Sequence, residues 1–415
     1  MSEASQNTAY ALDIQAIRKE FPVLHQEVNG KPLVYFDNAA TTQKPQSVIS
    51  TLDQYYQGYN SNIHRGIHTL AERATKAFED TRKALQGFIN AKESEEIIFT
   101  KGTTESINLV AATFGRAFIH QGDEIIISGL EHHSNIVPWQ MLAEEKGAVI
   151  KVIPVLEDGT LDYEHYLSLL NPKTRLVAVN HASNSLGTIN PIQKIIQEAH
   201  KVGAKVLIDG AQATAHLTID VQELDCDFYA VSAHKFYGPT GTGALYGKRE
   251  LLEAMPPYQG GGEMIKEVSF EKTTYNDIPY KFEAGTPNIA DVIAFKAAVD
   301  FVNKYDKVAM AKYEASLLSY ATSAISQFKD IRLVGTAPDK VSVLSFVIDG
   351  IHHFDIGQML DARGVAVRTG HHCTQPLMDR FGIEGTVRAS FAVYNTAEEI
   401  DRMLEGLERI IKFMK

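Results

Sequence analysis

The sequence is poor in cysteine, with only Cys226 and Cys373 among 415 residues. Two thiols cannot form the disulfide framework of a secreted protein, and this pattern is typical of a protein from a reducing compartment. It also makes each thiol a candidate for a specific role. Cys226 lies between Asp225 and Asp227, and neighbouring negative charge disfavours a thiolate. We therefore interpret Cys226 as an inert structural cysteine.

Long apolar runs and basic clusters are also missing. No run approaches the roughly 18 residues of a membrane span, and residues 1–10 lack the basic-then-apolar pattern of a signal peptide. Lys and Arg number 40 against 51 Asp and Glu, a formal net charge of −11. An acidic chain without a basic patch is a poor partner for nucleic acid or an anionic membrane. These absences predict a cytoplasmic protein.

The apolar content, 44%, is ample for a large core, and the length predicts one large domain with a smaller one. Seven short runs in the middle of the chain are rich in β-branched residues and alternate with helix-like segments, among them Ser106–Phe118 and Ile192–Val202. This alternation predicts an α/β fold with a seven-stranded, mostly parallel sheet. The predicted strands are Glu96–Thr100, Glu124–Ser128, Val149–Pro154, Leu176–Asn180, Lys205–Asp209, Phe228–Ser232 and Gly243–Tyr246.

The last third has a different pattern, which predicts a second, α+β domain. A long helical stretch is predicted at Asp291–Phe328, followed by strands at Val341–Ile348 and Val365–Arg368. The chain ends in an amphipathic helix, where Thr396 and Glu399 have the spacing of a capping box.

We predict three parts in total. Residues 1–30 form an N-terminal segment, with a helix at Ile14–Glu20 that packs on the small domain. Residues 31–290 form the large domain, and residues 291–415 form the small domain.

Two segments at strand ends are candidates for a cofactor site. Lys235, in Ser232-Ala233-His234-Lys235-Phe236-Tyr237-Gly238-Pro239, follows a buried strand, at the sheet edge where α/β proteins bind ligands. Asp209 ends an apolar strand, and a buried carboxylate needs a partner. The protonated pyridine nitrogen of pyridoxal 5'-phosphate (PLP) is one such partner. Taken singly, a surface lysine and a capping or ion-paired aspartate are the ordinary alternatives.

Two further segments supply groups suited to a phosphate and a planar ring. Thr103 and Thr104, in Lys101-Gly102-Thr103-Thr104-Glu105, stand between a strand and a helix, where free N–H groups bind phosphate. Simple capping by threonine is the alternative. His132 follows another strand and could stack on a cofactor and move protons near neutral pH. An ordinary surface histidine is the alternative.

The second cysteine lies in a loop, Arg368-Thr369-Gly370-His371-His372-Cys373-Thr374-Gln375-Pro376. Nearby positive charge favours a thiolate. A buried structural cysteine is one alternative, and a zinc site formed by His371, His372 and Cys373 is another. Adjacent side chains alternate in an extended chain, and no other cluster has ligand spacing, so we predict no metal. Arg388 is a candidate clamp for a carboxylate, with a surface ion pair as its alternative.

These segments resemble the class V aminotransferase family of fold-type I PLP enzymes. Two further segments carry the same resemblance, Asp37-Asn38-Ala39-Ala40-Thr41-Thr42 and Asn62-Ile63-His64-Arg65-Gly66-Ile67-His68. More closely, they resemble its group II, SufS-type cysteine desulfurases. The resemblance extends from about Phe21 to the C-terminus. The short loop Arg368–Pro376 is similar to the group II form, because group I enzymes carry a longer loop around their cysteine.

The resemblance implies a role for each matching residue. Lys235 would hold PLP covalently, Asp209 would pair with the pyridine nitrogen and Gln212 with the ring hydroxyl. His132 would stack on the ring and take part in proton transfer. The phosphate would be bound by Thr103, Thr104, Ser232 and His234. Thr286 would reach the phosphate of the partner subunit's cofactor, which implies a homodimer. The substrate side would comprise Asn184 and Arg388 for the carboxylate, His64 nearby, Cys373 as sulfur acceptor and Arg368 beside it.

The implied reaction converts L-cysteine to L-alanine and leaves a persulfide on Cys373, which supplies sulfur for iron–sulfur cluster assembly. The sulfur would pass to a small acceptor protein. Phe354 precedes Asp355 where the SufU-dependent branch has histidine, which favours a SufE-like acceptor over a SufU-like one.

Three alternatives remain open. A selenocysteine lyase differs little in sequence. A PLP epimerase or kynureninase-like hydrolase is disfavoured by Cys373. A non-catalytic scaffold is disfavoured because Lys235, Asp209, His132 and Cys373 are all present.

Overall fold

The computed structural model describes residues 12–415, and its central feature is a seven-stranded sheet. The strand Gly243–Gly247 is antiparallel to both of its neighbours, and every other pair in the sheet is parallel. The predicted seven-stranded, mostly parallel sheet is therefore confirmed. The strands lie in the order Ile97–Thr100, Gly243–Gly247, Phe228–Ser232, Lys205–Asp209, Thr174–Asn180, Glu124–Ser128 and Val149–Ile153.

The middle strands are buried on both faces, which explains why they are nearly continuous apolar runs. Every residue of Phe228–Ser232 and Gly243–Gly247 is buried. Gly243 also permits a close approach between segments. A Cβ atom there would lie 2.3 Å from the Val231 carbonyl oxygen and 2.6 Å from the Gly102 Cα. The strand Gly243–Gly247 therefore packs closely against the turn that precedes Thr103.

Helices cover the sheet and form most of the remaining structure. The helix Ile192–Lys201 buries Ile192, Ile195, Ile196 and Ala199, as its predicted stripe requires. The predicted helix at Ser106–Phe118 instead begins at Thr103 and contains a π-helical turn at Ala111–Gly115. The α-helices are Ile14–Lys19, Gln46–Gly58, Thr69–Phe88, Thr103–Val110, Arg116–Phe118, Val137–Lys146, Tyr163–Leu169, Ile192–Lys201, Ala213–His216, Val221–Leu224, Arg249–Ala254, Ile289–Asn303, Lys307–Ile325, His353–Asp361, Gln375–Phe381 and Ala397–Met414.

A second, four-stranded sheet is antiparallel and has the order Ile331–Val334, Val343–Ile348, Thr386–Ser390 and Arg368–Gly370. The predicted single strand Val365–Arg368 is wrong. Val365–Ala366 instead pairs in parallel with Val34–Tyr35, because the Val34 and Phe36 N–H groups donate to the Gly364 and Ala366 carbonyls. The chain then changes sheets before Arg368.

Four short strands form two further antiparallel pairs. Glu27–Val28 pairs with Lys31–Pro32, and Ile265–Val268 pairs with Thr273–Tyr275 as an exposed hairpin.

The predicted continuous helix Asp291–Phe328 is also wrong, since two helices, Ile289–Asn303 and Lys307–Ile325, occupy this stretch. The side chain of Asp306 accepts hydrogen bonds from the Val308 and Ala309 N–H groups and so begins the second helix. Apolar residues continue on both sides of the break, which hid it in the sequence pattern.

The C-terminal helix Ala397–Met414 begins with the predicted capping box, in which Thr396 and Glu399 exchange side-chain and backbone hydrogen bonds. Arg18, from the helix Ile14–Lys19, pairs with Glu399 at 2.6 Å and donates to the Tyr394 carbonyl at 2.8 Å. These contacts join the helix Ile14–Lys19 to the start of the C-terminal helix, and the packing of residues 1–30 on a small domain stays a prediction. The part of that segment before residue 12 lies outside the described residues.

The domain boundaries at residues 30 and 290 stay a prediction. The helix Ile289–Asn303, which begins at the second boundary, packs on Gln46–Gly58 and Thr69–Phe88. None of the helices between residues 12 and 415 is both long enough and apolar enough to span a membrane.

Candidate active site

A cavity of about 340 Å³ lies where the carboxyl ends of the central strands face the second sheet. It brings together side chains from segments far apart in the chain, and all but three of the predicted site residues line it. Those that line it are Thr103, Thr104, His132, Asn184, Asp209, Ser232, His234, Lys235, Arg368, Cys373 and Arg388.

Lys235 ends a single 3-10 turn, Ala233–Lys235, that directly follows the buried strand Phe228–Ser232. Burial lowers the pKa of its amine to about 8, Asp209 opposes this shift and Arg388 adds to it. A lysine with such a pKa is partly neutral near physiological pH. Its amine can therefore attack a carbonyl group.

Asp209 ends the adjacent strand Lys205–Asp209, and it is buried. Its Oδ1 accepts a hydrogen bond from the Ala211 N–H at 3.0 Å. Burial raises the pKa of the carboxyl group, while the nearby Lys235 amine lowers it. A carboxylate in this position favours a cationic ligand group above it, because a buried charge requires compensation.

The helix Thr103–Val110 begins at the edge of the same cavity. The Thr103 N–H donates to Ser232 Oγ at 2.9 Å, and the Ser232 hydroxyl donates to Thr103 Oγ1 at 2.9 Å. These two bonds fasten the helix start to the end of the strand that leads to Lys235. A helix N-terminus beside a cavity is suited to binding a phosphate.

His234 and His132 are both held in the neutral form. Burial, with a further contribution from Lys235, lowers the pKa of His234 to about 4 and that of His132 to about 3. The Nδ1 of His132 accepts from the Ser134 N–H at 3.1 Å and lies 2.8 Å from the Ser134 hydroxyl. The ring orientation is therefore fixed by its own turn.

Glu131 supports this turn and was given no role in the sequence analysis. Its carboxylate is buried and accepts from Asn135 Nδ2 at 2.7 Å, from the N–H and Nδ2 of Asn180 at 3.0 Å each, and from the Ser128 hydroxyl. Burial raises its pKa to about 7. The signal in the sequence was an acidic residue three positions after the buried strand Glu124–Ser128.

Arg388 lies in the strand Thr386–Ser390 and is almost completely buried. Its Nη1 donates to the Asn184 carbonyl at 2.8 Å and its Nη2 to Asp37 Oδ1 at 3.1 Å. The Nε–H has no acceptor among residues 12–415. Burial lowers the pKa of the guanidinium to about 10, and Asp37 opposes the shift. Arg368, half-exposed, donates to Asp37 Oδ2 at 3.3 Å.

The cysteine loop takes an unusual backbone path, since both His372 and Cys373 have left-handed φ angles, 53° and 58°. The His133 N–H donates to the Cys373 carbonyl at 2.8 Å, and Asn184 Nδ2 donates to the His372 carbonyl at 2.8 Å. These bonds attach the loop to the large sheet and leave the thiol at the cavity, partly exposed.

Cys226 has a different environment. It is completely buried, and burial together with Asp227 raises its thiol pKa. No group of three or more His, Cys, Asp or Glu side chains between residues 12 and 415 has the geometry to hold a metal ion.

Three predicted site residues do not line the cavity. Gln212 is buried and donates to the carbonyl of Ala39, a residue that lines the cavity, at 2.5 Å. His64 is bound to Glu79 at 3.0 Å. Thr286 is exposed and lines a neighbouring cavity of about 170 Å³. Their roles stay predictions.

The sequence model of the aminotransferase class-V family matches residues 34–403, and the chain therefore belongs to this family. A cysteine desulfurase from Synechococcus elongatus is 52% identical over 97% of this chain and 64% of its own length. A cysteine desulfurase from Pectobacterium carotovorum is 50% identical over 97% of this chain and 98% of its own. The chain thus spans less than two thirds of the first relative and nearly all of the second.

A solved structure agrees with this assignment. The crystal structure of the cysteine desulfurase CsdA from Escherichia coli, in an S-sulfonic acid form, is 40% identical. The structural match includes 97% of this chain and 99% of the CsdA chain, with a TM-score of 0.91. The predicted fold-type I architecture is confirmed.

The residues at the cavity fit PLP, the cofactor of this fold. One cavity is lined by three groups that suit the cofactor. The amine of Lys235 suits its aldehyde, and the buried carboxylate of Asp209 suits its pyridine nitrogen. The helix start at Thr103 suits its phosphate.

Proposed function

We propose that the chain is a PLP-dependent cysteine desulfurase, which converts L-cysteine to L-alanine and retains the sulfur as a persulfide on Cys373. One observation carries the proposal: the Cys373 thiol and the Lys235 amine line the same cavity, together with Asp209 and Arg388. The identity to named cysteine desulfurases, 50% over nearly the full length of one relative, supports it.

The cofactor would be held by residues from three segments. Lys235 would bind its aldehyde carbon, Asp209 its ring nitrogen, and the helix start at Thr103 with Ser232 its phosphate. When bound, PLP supplies an electron sink for the substrate α-carbon. His132, neutral and fixed by Ser134, would stack on the ring and take part in proton transfer.

The substrate carboxylate would be bound by Arg388 and Asn184, with Arg368 at the entrance. Arg388 is suited to this role because it lines the cavity and its planar fork is held on two sides. A carboxylate bound there lies on the same wall as the cysteine loop, since Asn184 also holds the His372 carbonyl.

The sulfur transfer is a displacement at sulfur. The Cys373 thiolate attacks the substrate sulfur, a sulfur–sulfur bond forms and the substrate carbon–sulfur bond breaks. The electron pair of the broken bond stays on the substrate carbon skeleton, which takes up a proton and leaves as alanine. Lys235 would carry protons to and from the substrate carbon, a task that suits an amine with a pKa of about 8.

The experiment incubates PLP-loaded protein with L-cysteine and a reductant, and quantifies alanine and sulfide. We expect equal amounts of the two products, and none from the Cys373→Ala variant, which should keep its cofactor absorbance. Loss of the cofactor in that variant, or undiminished sulfide release from it, would contradict the role of Cys373. L-Selenocysteine, assayed in parallel, distinguishes a selenocysteine lyase.

The finer assignment is the group II, SufS-type form, supported by the short cysteine loop. Sulfur would pass to a SufE-like acceptor for iron–sulfur cluster assembly in the cytoplasm. Phe354 supports this choice because it is exposed in the first turn of the helix His353–Asp361, where the SufU-dependent branch has histidine. Stimulation of alanine formation by a SufE-like protein, and none by a SufU-like protein, is the expected result.

A homodimer is part of the proposal. Thr286 is exposed and lines a cavity that is separate from the cavity around Lys235 in the same subunit. A second subunit would place the phosphate of its own cofactor against Thr286 there. Sedimentation of the purified protein should give a dimer, and Thr286→Val should weaken PLP binding. A monomer with full activity would contradict this assignment.

A further inference from the structure

Asp37 is the common partner of the two arginines at the cavity. Its Oδ1 lies 3.1 Å from Arg388 Nη2 and its Oδ2 lies 3.3 Å from Arg368 Nη1. The backbone of Asp37 is fixed independently by a parallel bridge to Ser390 in the second sheet. The carboxylate therefore stands between both guanidinium groups on a rigid support.

The charges at this place do not balance. Two guanidinium groups share one carboxylate, and no other carboxylate between residues 12 and 415 forms an ion pair with either of them. Arg388 has a side-chain exposure of only 2%, and within the part of the chain that the structure describes its Nε–H lacks an acceptor. One positive charge is thus left for a ligand.

We propose that Asp37 sets the charge of the substrate carboxylate pocket. By cancelling one of the two arginine charges, it leaves room for a single negative charge and weakens the hold on L-cysteine and on L-alanine, so that the product can leave. This inference rests on the proposed function, which assigns Arg388 and Arg368 to the carboxylate. Asp37 is a specificity-determining residue in this account, because it contacts the arginines and acts through them.

A purely structural role predicts the opposite result. If Asp37 only fastened the strand Arg368–Gly370 to the strand Val34–Tyr35, its neutralisation would loosen the pocket and weaken every ligand. If it sets the charge, its neutralisation strengthens the attraction between the arginines and any carboxylate.

The test measures binding without turnover, in PLP-loaded protein that carries Cys373→Ala. The dissociation constant of L-alanine is read from the change in cofactor absorbance, and ethylamine, which lacks a carboxylate, is the control ligand. In Asp37→Asn, we expect L-alanine to bind about tenfold more tightly, since a negative charge a few ångströms from the ligand carboxylate is removed. Ethylamine should stay within about twofold. Unchanged or weaker binding of L-alanine would overturn the proposal.

A second pair of variants tests the charge account through Arg368, whose replacement leaves Asp37 in place. Arg368→Gln removes one positive charge and should weaken L-alanine binding about tenfold. The double variant Arg368→Gln/Asp37→Asn returns the pocket to one positive charge and should bind L-alanine within about threefold of the parent. Binding as weak as in Arg368→Gln alone would refute the charge account, because the count of charges would then not determine affinity.

The same measurements separate this inference from the proposed function. If the parent protein does not bind L-alanine in preference to ethylamine, the assignment of the carboxylate pocket fails, and with it the proposed function. If the parent shows this preference and Asp37→Asn does not increase it, only the role of Asp37 fails.

Discussion

Arg82 provides a stability prediction that the structure makes quantitative. Its guanidinium donates to both carboxylate oxygens of Glu283, at 2.7 and 2.9 Å, and to the Ile97 carbonyl at 2.7 Å. Its Nε donates to Glu79 at 2.8 Å, and the group lies 4.5 Å from the centre of the Phe99 ring. The side chain is 2% exposed and that of Glu283 is 7% exposed. This residue therefore joins a helix, a strand of the central sheet and the segment that leads to Thr286.

Replacement of Arg82 by methionine would leave the Glu283 carboxylate buried without its counter-ion. Breaking a buried pair in this way costs about 3–5 kcal/mol of unfolding free energy, because the remaining charge is uncompensated. The double variant Arg82→Met/Glu283→Gln should recover at least half of the loss, since it removes both charges together. The surface pair of Arg116 and Glu145, with side chains 58% and 45% exposed, is the matched control. Its loss in Arg116→Met should cost about 0–1 kcal/mol.

The assay is urea unfolding followed by the fluorescence of Trp139, the single tryptophan in the chain, which is buried. The reasoning would be refuted if Arg82→Met lost no more free energy than Arg116→Met. It would also be refuted if the double variant were less stable than the single variant, because the cost would then not arise from an uncompensated carboxylate.

Three further predictions concern the site. In the native protein a thiol reagent should modify Cys373 and spare the buried Cys226, and modification of both without unfolding would contradict their assignment. Absorbance gives the rate at which the cofactor-free protein takes up PLP. This rate should rise with pH up to about 8 and then level off, because the Lys235 amine loses its proton near this pH. A rate independent of pH would be contrary evidence. Gly210→Ala should destabilise the protein by about 1–3 kcal/mol or more, since the new Cβ would lie 1.9 Å from a buried tyrosine ring, whereas Gly58→Ala has open space and should be neutral.

The central sheet could be predicted from the sequence because its strands are short apolar runs with polar residues at their ends. Burial on both faces leaves little freedom in their composition, so each run marks a strand. The groups at the ends of these runs, Asp209, Ser232 with Lys235, and His132, could be assigned to one edge by the same reasoning. The cavity contains all of them.

The contact of Asp37 with Arg388 and that of Glu131 with Asn180 could not be predicted, because each depends on packing between distant segments. Asp37 meets Arg388 across 351 residues of chain, and no local pattern encodes that approach. The strand Thr386–Ser390 carries Arg388 in the second sheet, yet its buried polar residues resemble those of a loop. The break before Lys307 was hidden because apolar residues flank it on both sides, and the cap at Asp306 marks it.

The two halves of the proposed chemistry are joined through a single residue, Asn184, by its backbone carbonyl and its side chain. The Asn184 carbonyl accepts from Arg388 and its Nδ2 donates to the His372 carbonyl, so one residue of the large sheet's loops contacts both the carboxylate clamp and the loop that bears Cys373. Arg388 in turn belongs to the strand that pairs with Arg368–Gly370, from which this loop leaves. The distance between a bound carboxylate and the Cys373 thiol is therefore determined by Asn184 and by one antiparallel strand pair. A sulfur transfer needs such a fixed distance, because the substrate sulfur lies only a few bonds from the carboxylate that anchors it.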